Sequence, residues 1–214
     1  MTGRRRLLRL AALAPVAALV PGCANFIPGA GTPPQIYVLT PKSTFVAELP
    51  KVDWQLLVDT PAASAELDTT RIVLSRTPWT IDYFGDAAWP DRAPSMVQTR
   101  IIESFENTGK ILAVGRESVG LRADYILKPE LRHFEAVYDG PGAPTIWVRL
   151  GARVVVVPEG RIVAQDLFES RIPAAQNTMP AIIAAYDEAL GAVMKRLVTW
   201  VLTLPPPERD RRRM

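Results

Sequence analysis

Residues Thr145–Val157 read TIWVRLGARVVVV, Pro158–Gly160 read PEG, and Arg161–Arg171 read RIVAQDLFESR. Side chains along a β-strand alternate between its two faces. In the first run Ile146, Val148, Leu150, Ala152, Val154 and Val156 therefore share one apolar face. Trp147, Arg149 and Arg153 fall on the other, which makes them candidates for contact with a partner, since Trp and Arg are favoured at interface hot spots. A Pro-Glu-Gly turn between two such runs predicts an antiparallel hairpin with one face in the core.

Working outward, Ala123–Tyr138 carries a further strand pattern, separated from the hairpin by the Gly140–Pro144 break. Upstream, Arg71–Arg76 and Trp79–Phe84 flank Thr77-Pro78 and predict a second hairpin; Ile36–Leu39 and Trp54–Val58 predict short strands. Two segments change period. Asp91–Asn107 places Val97, Ile101 and Phe105 on one stripe, with Asp91 near its start, Pro94 in its first turn and Gly109 past its end. Met179–Leu202 repeats Ile182, Ile183, Tyr186, Leu190, Val193, Met194, Leu197 and Val201 at helical spacing until Pro205–Pro207 stops it. The expected fold is α+β, an antiparallel or mixed sheet with two helices packed on one face.

The N-terminus has a different logic. Arg4, Arg5 and Arg6 precede a mostly apolar stretch from Leu7 to Val20, and Leu19-Val20-Pro21-Gly22-Cys23 follows. That order is a secretory signal, too short in its uncharged part to span a bilayer, which takes about 20 apolar residues. Arg4–Arg9 is also similar to a twin-arginine signal, so the export route stays open between that and a generic basic n-region. The expected organisation is a signal peptide at 1–22, a Gly/Pro-rich tether at 23–34, one domain at 35–204 and a basic tail at 205–214. The chain carries 25 Lys and Arg against 22 Asp and Glu. Four of those arginines leave with the signal, so the basic balance belongs to targeting and does not mark a nucleic-acid partner. Cys23 is the sole cysteine, which excludes an internal disulfide. The arginines of the tail could meet anionic headgroups or simply be solvated.

Catalytic signatures are missing. His133 is the single histidine, and no Gly-x-Ser-x-Gly turn presents a nucleophile to it; a strand-surface or partly packed side chain is expected. With one histidine, and one cysteine at the end of the signal, a typical zinc site is not expected. Asp82, Asp86 and Asp91 lack the spacing of a calcium loop, and Gly109, Gly115 and Gly120 lack that of a phosphate loop. The expectation is a non-enzyme without catalytic residues, metal or cofactor.

Several pieces then line up in order: the Leu19–Cys23 run, Tyr37-Val38-Leu39, Leu67-Asp68-Thr69-Thr70-Arg71-Ile72, Tyr83-Phe84, Trp89-Pro90-Asp91-Arg92-Ala93-Pro94 and Gln98-Thr99-Arg100-Ile101. Together they resemble the ABC-type transport auxiliary lipoproteins, the group that includes the paraquat-inducible lipoprotein C component. The resemblance implies that Cys23 becomes the first mature residue, carrying a diacylglyceryl group and a third acyl chain of the palmitate kind. It further implies a periplasmic subunit beside an ABC permease and ATPase, docked on a mammalian-cell-entry (MCE) domain protein in lipid transport. Ala24, where an inner-membrane retention signal would often place Asp, favours the outer membrane. Trp89, Asp91 and Gln98 are expected to be fold-determining, Trp89 by burial at a strand-to-helix junction and Asp91 by capping or charge at the helix start. Three other readings stay open: a shuttle with a lipid pocket between the sheet and Met179–Leu202, an envelope-assembly lipoprotein bound to a large β-barrel, and a periplasmic hydrolase using His133. A homo-oligomer is also left open.

Overall fold

The computed structural model describes residues 33–45, 48–116 and 122–207; Cys23, the signal, most of the tether and the tail arginines lie outside them. In chain order the elements are β1 (Gln35–Ile36), β2 (Gln55–Val58), β3 (Ala62–Ala63), β4 (Arg71–Thr77), β5 (Thr80–Ala88), α1 (Ala93–Glu106), β6 (Ala113–Gly115), β7 (Tyr125–Val137), β8 (Thr145–Val156), β9 (Ile162–Pro173) and α2 (Met179–Leu202).

The sheet is organised around β7. Along one side it pairs antiparallel with β8 over nearly its whole length, and β8 pairs in turn with β9. Its other side is shared by three strands in succession, all parallel to it: β2 beside Tyr125–Leu127, β3 beside Glu130–Leu131 and β4 beside Glu135–Val137. Beyond these, β2 pairs with β6, while β4 pairs with β5 and β5 with β1. The mixed sheet with two helices is the α+β fold expected.

The hairpins form where turn chemistry and alternation agree. Gly160, at φ 70°, closes the β8–β9 turn, its N–H donating to the Val156 carbonyl at 3.0 Å. The stripe from Ile146 to Val156 is buried throughout. Against it packs α2, whose inward side chains Tyr186, Leu190, Val193 and Leu197 are at most 1% exposed. Each fully buried aliphatic side chain contributes roughly 1.5–3 kcal/mol, so this layer is the main source of cohesion. At its centre Trp89, Phe134 and Tyr186 meet with ring centroids 5.1–5.5 Å apart.

Two local expectations change. The first strand was expected over Ile36–Leu39, yet pairing stops after Ile36 and a single further bond from Tyr37 N–H to the Ala88 carbonyl. The reason is α2: Asp187 accepts hydrogen bonds from the Thr40 backbone N–H at 2.6 Å and from its hydroxyl at 2.8 Å, drawing the chain off the sheet. The strap continues across both helices, with Lys42 N–H donating to Ser104 Oγ and Asn107 Nδ2 to the Lys42 carbonyl. The first helix was expected from Asp91 but begins at Ala93, and its N-cap residue is Arg92, with no side-chain cap.

Candidate functional site

The face of β7, β8 and β9 turned away from the helices collects the charged and aromatic residues. Register places Glu135, Trp147 and Arg171 in one cross-strand row and His133, Arg149 and Glu169 in the next. The Trp147 indole is sandwiched between two cationic or ionisable partners. His133 stacks on one side with centroids 3.4 Å apart and planes 11° from parallel, and the Arg171 guanidinium lies 3.9 Å from the ring centroid on the Trp147 π-system. Its Nε1–H donates to Glu169 at 3.0 Å. His133 Nδ1 lies 2.7 Å from Glu135, whose carboxylate is itself buried.

Two half-buried glutamates of this face, Glu130 and Glu169, each serve two arginines. Arg132 and Arg153 approach Glu130 at 2.9 and 3.6 Å; Arg171 and Arg149 approach Glu169 at 3.1 and 3.4 Å. Both carboxyls are held below their ordinary range, first by the hydrogen bond from one arginine, Arg132 or Arg171, and then by nearby guanidinium charge. The bulge between Leu131 and His133 makes the first cluster, because it carries Arg132 across β8 above Gly151, where no side chain competes for the space. The face ends in an open groove of about 880 Å³ beneath the β4–β5 hairpin, lined among others by Arg76, Ile81, His133, Glu135, Trp147 and Arg171.

Of the residues singled out for partner contact, Trp147 and Arg149 prove half-buried, packed into these clusters; Arg153 is exposed. All three lie on the face opposite the buried stripe. Sequence reasoning did not find Glu130, Glu169, Arg132 or Arg171, whose roles depend on register and on the bulge. It placed His133 as a strand-surface or partly packed side chain, and the histidine is partly packed on Trp147. Among the described residues no three His, Cys, Asp or Glu side chains are grouped to hold a metal ion.

The motif residues meet elsewhere, at the junction of β5 and α1. Trp89 is 1% exposed, its N–H donating to the Thr70 carbonyl at 2.8 Å, and Ala93 N–H donates to the Thr69 carbonyl at 3.0 Å. Arg92 pairs with Asp68 at 3.0 Å. The Leu67–Ile72 and Trp89–Pro94 segments are thus two halves of one clasp. Asp91 does not cap: its carboxylate accepts the N–H of the adjacent Arg92 at 2.7 Å, a bond too local to reach the first helical turn, where Thr69 supplies the acceptor instead. Buried Gln98 donates to the Val58 carbonyl at 2.8 Å and accepts from Arg116 Nε at 3.0 Å, fastening α1 to β2 and to the end of β6.

The branched mixed sheet with two helices on one face, together with the clasp at the strand–helix junction, defines an α+β domain. Residues 37–198 match the family model of the ABC-type transport auxiliary lipoprotein component, and the chain belongs to that family. Membership places it among lipid-anchored, envelope-associated components of ABC-type transport. It is similar to protein XCC0632 of Xanthomonas campestris, described under the family model DUF330: 34% identity, 78% of this chain and 94% of that one covered, TM-score 0.74. An uncharacterized protein of Bradyrhizobium diazoefficiens, bll6063, is 33% identical over 147 residues. That alignment covers 69% of this chain, which spans only 39% of the length of this curated relative. A second crystal structure, of an uncharacterized protein, shares the fold at 10% identity, with TM-score 0.61 over 79% of this chain and 99% of its own. Among the described residues no helix is long and apolar enough to cross a membrane.

Proposed function

We propose that this protein is a non-catalytic periplasmic lipoprotein, a subunit of an ABC/MCE-type system that moves lipids across the envelope. It docks on the MCE-domain partner beside the permease and ATPase. The observation that carries this reading is the family match over residues 37–198, nearly the whole of the domain assigned to 35–204. In the proposed organisation residues 1–22 are removed, Cys23 carries the acyl chains, 23–34 act as tether and 205–214 as a solvated basic tail. The anchor sits in the outer membrane, in keeping with Ala24 after Cys23.

The docking surface is the arginine- and aromatic-rich face around Trp147, Arg149 and Arg153, continued by Arg171. Its side chains are held in place by their own carboxylate and ring partners, which lowers the entropy lost on association. Packing speaks against carriage of lipid between sheet and helix, because Phe134, Val148, Leu150, Tyr186 and Leu190 fill that layer and are at most 1% exposed.

The test is affinity purification of the tagged, membrane-extracted protein with mass spectrometry, comparing wild type with Cys23→Ser and with Trp147→Ala/Arg149→Ala. An MCE-domain protein recovered with wild type and lost with the double variant is expected, as is release of Cys23→Ser from the membrane fraction. Purification of wild type without transporter subunits but with bound lipid would refute the docking role.

A further inference from the structure

The β4–β5 hairpin ends in a two-residue turn, Pro78-Trp79, with Thr77 and Thr80 paired across it. Trp79 is 89% exposed, far more than any other large apolar side chain described, and Ile81, two residues further on in β5, is 48% exposed. Tryptophan has a large apolar body and a single N–H, so full exposure in water is unfavourable and needs an explanation that a scattered surface leucine does not.

The turn is built to hold this residue out. Thr77 and Thr80 share a hydroxyl–hydroxyl hydrogen bond of 2.8 Å, and Trp79 N–H reaches Thr77 Oγ1 at 3.4 Å. The tip from Arg76 to Ile81 contains no carboxylate. Arg76 at its base stacks 4.8 Å above the Tyr138 ring. Asp82, the next acidic residue, turns its carboxylate back onto the Tyr83 N–H at 2.8 Å. A protruding tip with one cation, two hydroxyls, an indole and an isoleucine has the composition of a membrane–water interface: an aromatic ring at headgroup depth, a basic residue beside it and no buried anion.

The chain also brings this tip within range of a bilayer. Family membership makes it a lipid-anchored protein, and the segment from Cys23 to Pro34 is 12 residues long, enough to reach up to about 40 Å when extended. That segment joins the sheet at Gln35, opposite Ala87, seven strand residues from Thr80, or roughly 23 Å. The tether therefore exceeds the distance between its root and the hairpin tip.

We infer that the β4–β5 hairpin is a second membrane contact, with Trp79 and Ile81 seated in the headgroup region of the bilayer surface. It acts alongside the acyl anchor and fixes the orientation of the domain on the bilayer surface. This contact does not depend on the identity of the transporter partner.

The test uses the signal-less mature chain with Cys23→Ser, which lacks acyl chains. It is mixed with vesicles of phosphatidylethanolamine and phosphatidylglycerol, with and without brominated acyl chains. Cosedimentation with the vesicles and bromine quenching of tryptophan emission are expected. Trp79→Ala should lower partitioning at least about fivefold by removing the apolar ring, and Trp79→Phe should retain part of it. The quenching should vanish in Trp79→Ala although Trp54, Trp89, Trp147 and Trp200 remain. An unchanged circular dichroism spectrum will show that Trp79→Ala folds, as expected at so exposed a site. Equal partitioning of wild type and Trp79→Ala, or no binding of wild type at saturating lipid, would overturn the inference. So would protection of Trp79 that arises only when a protein partner is added.

Discussion

Replacing Tyr186 with Phe removes one oxygen from the centre of the core and leaves the ring packed on Trp89 and Phe134. Tyr186 is fully buried, and its hydroxyl donates to the Val73 carbonyl at 3.1 Å, tying α2 to β4. At pH 7 the loss of that bond should cost about 1 kcal/mol. With a urea slope of 1–3 kcal/mol per molar, the unfolding midpoint should fall by roughly 0.5 M. In alkali the order should change. Burial, reinforced by the neighbouring Glu135 and Tyr138, raises the Tyr186 hydroxyl well above its ordinary pKa. The folded protein therefore keeps this proton where the unfolded chain, titrating near pH 10, has lost it, and stability falls as pH rises. One unit above the unfolded pKa the penalty is about 1.4 kcal/mol, which cancels the hydrogen bond. Tyr186→Phe escapes it, and all other titrating groups are common to both proteins. The two stability curves, measured by urea unfolding followed by tryptophan fluorescence, should therefore converge and cross by about pH 11. Parallel curves from pH 7 to pH 11 would refute a buried, protonated Tyr186.

Asp91→Ala should lower stability by less than about 0.5 kcal/mol, because the carboxylate bonds only its neighbour's N–H; a loss in thermal or urea unfolding near the 1 kcal/mol of a true N-cap would restore the capping role. Gln98→Leu keeps the volume but strands the Val58 carbonyl and the Arg116 guanidinium, and should cost about 1–3 kcal/mol in the same assay. Glu130 and Glu169 have depressed folded pKa values, so the stability they contribute is present above the ordinary carboxylate range and lost as pH falls through the folded values. Glu130→Gln/Glu169→Gln should accordingly show a shallower decline in Tm on acidification than wild type, measured by scanning calorimetry across the acid limb.

Regular elements were legible wherever one chain segment carried the whole signal. The alternation in Thr145–Val157 and the spacing from Ile182 to Val201 each encode a face, and the structure buries those faces. The short elements were not legible: Ala62–Ala63 and Ala113–Gly115 have too few residues to show a period and exist because β7 and β2 offer edges to pair with. Parallel pairing is equally silent, since residues brought together by it lie far apart in the chain. The cluster around Glu130 depends on the bulge at Arg132 and the cluster around Glu169 on the register between β8 and β9, neither of which a local pattern announces. Asp91 misled because a helix-start residue type sits one position before the N-cap, Arg92, while the helix takes its acceptor from Thr69.

The strap from Tyr37 to Lys42 also sets how the domain would bear a mechanical load. In the proposed organisation a pull on the acyl anchor arrives at Gln35, on an outer strand with only two paired positions, so the first bonds under tension open one after another like a zip. The next purchase is different in kind: backbone and hydroxyl of Thr40 both grip Asp187, sharing force and passing it to α2. The edge of the sheet would give first as slack, and the helix layer would take the strain while the core stays closed.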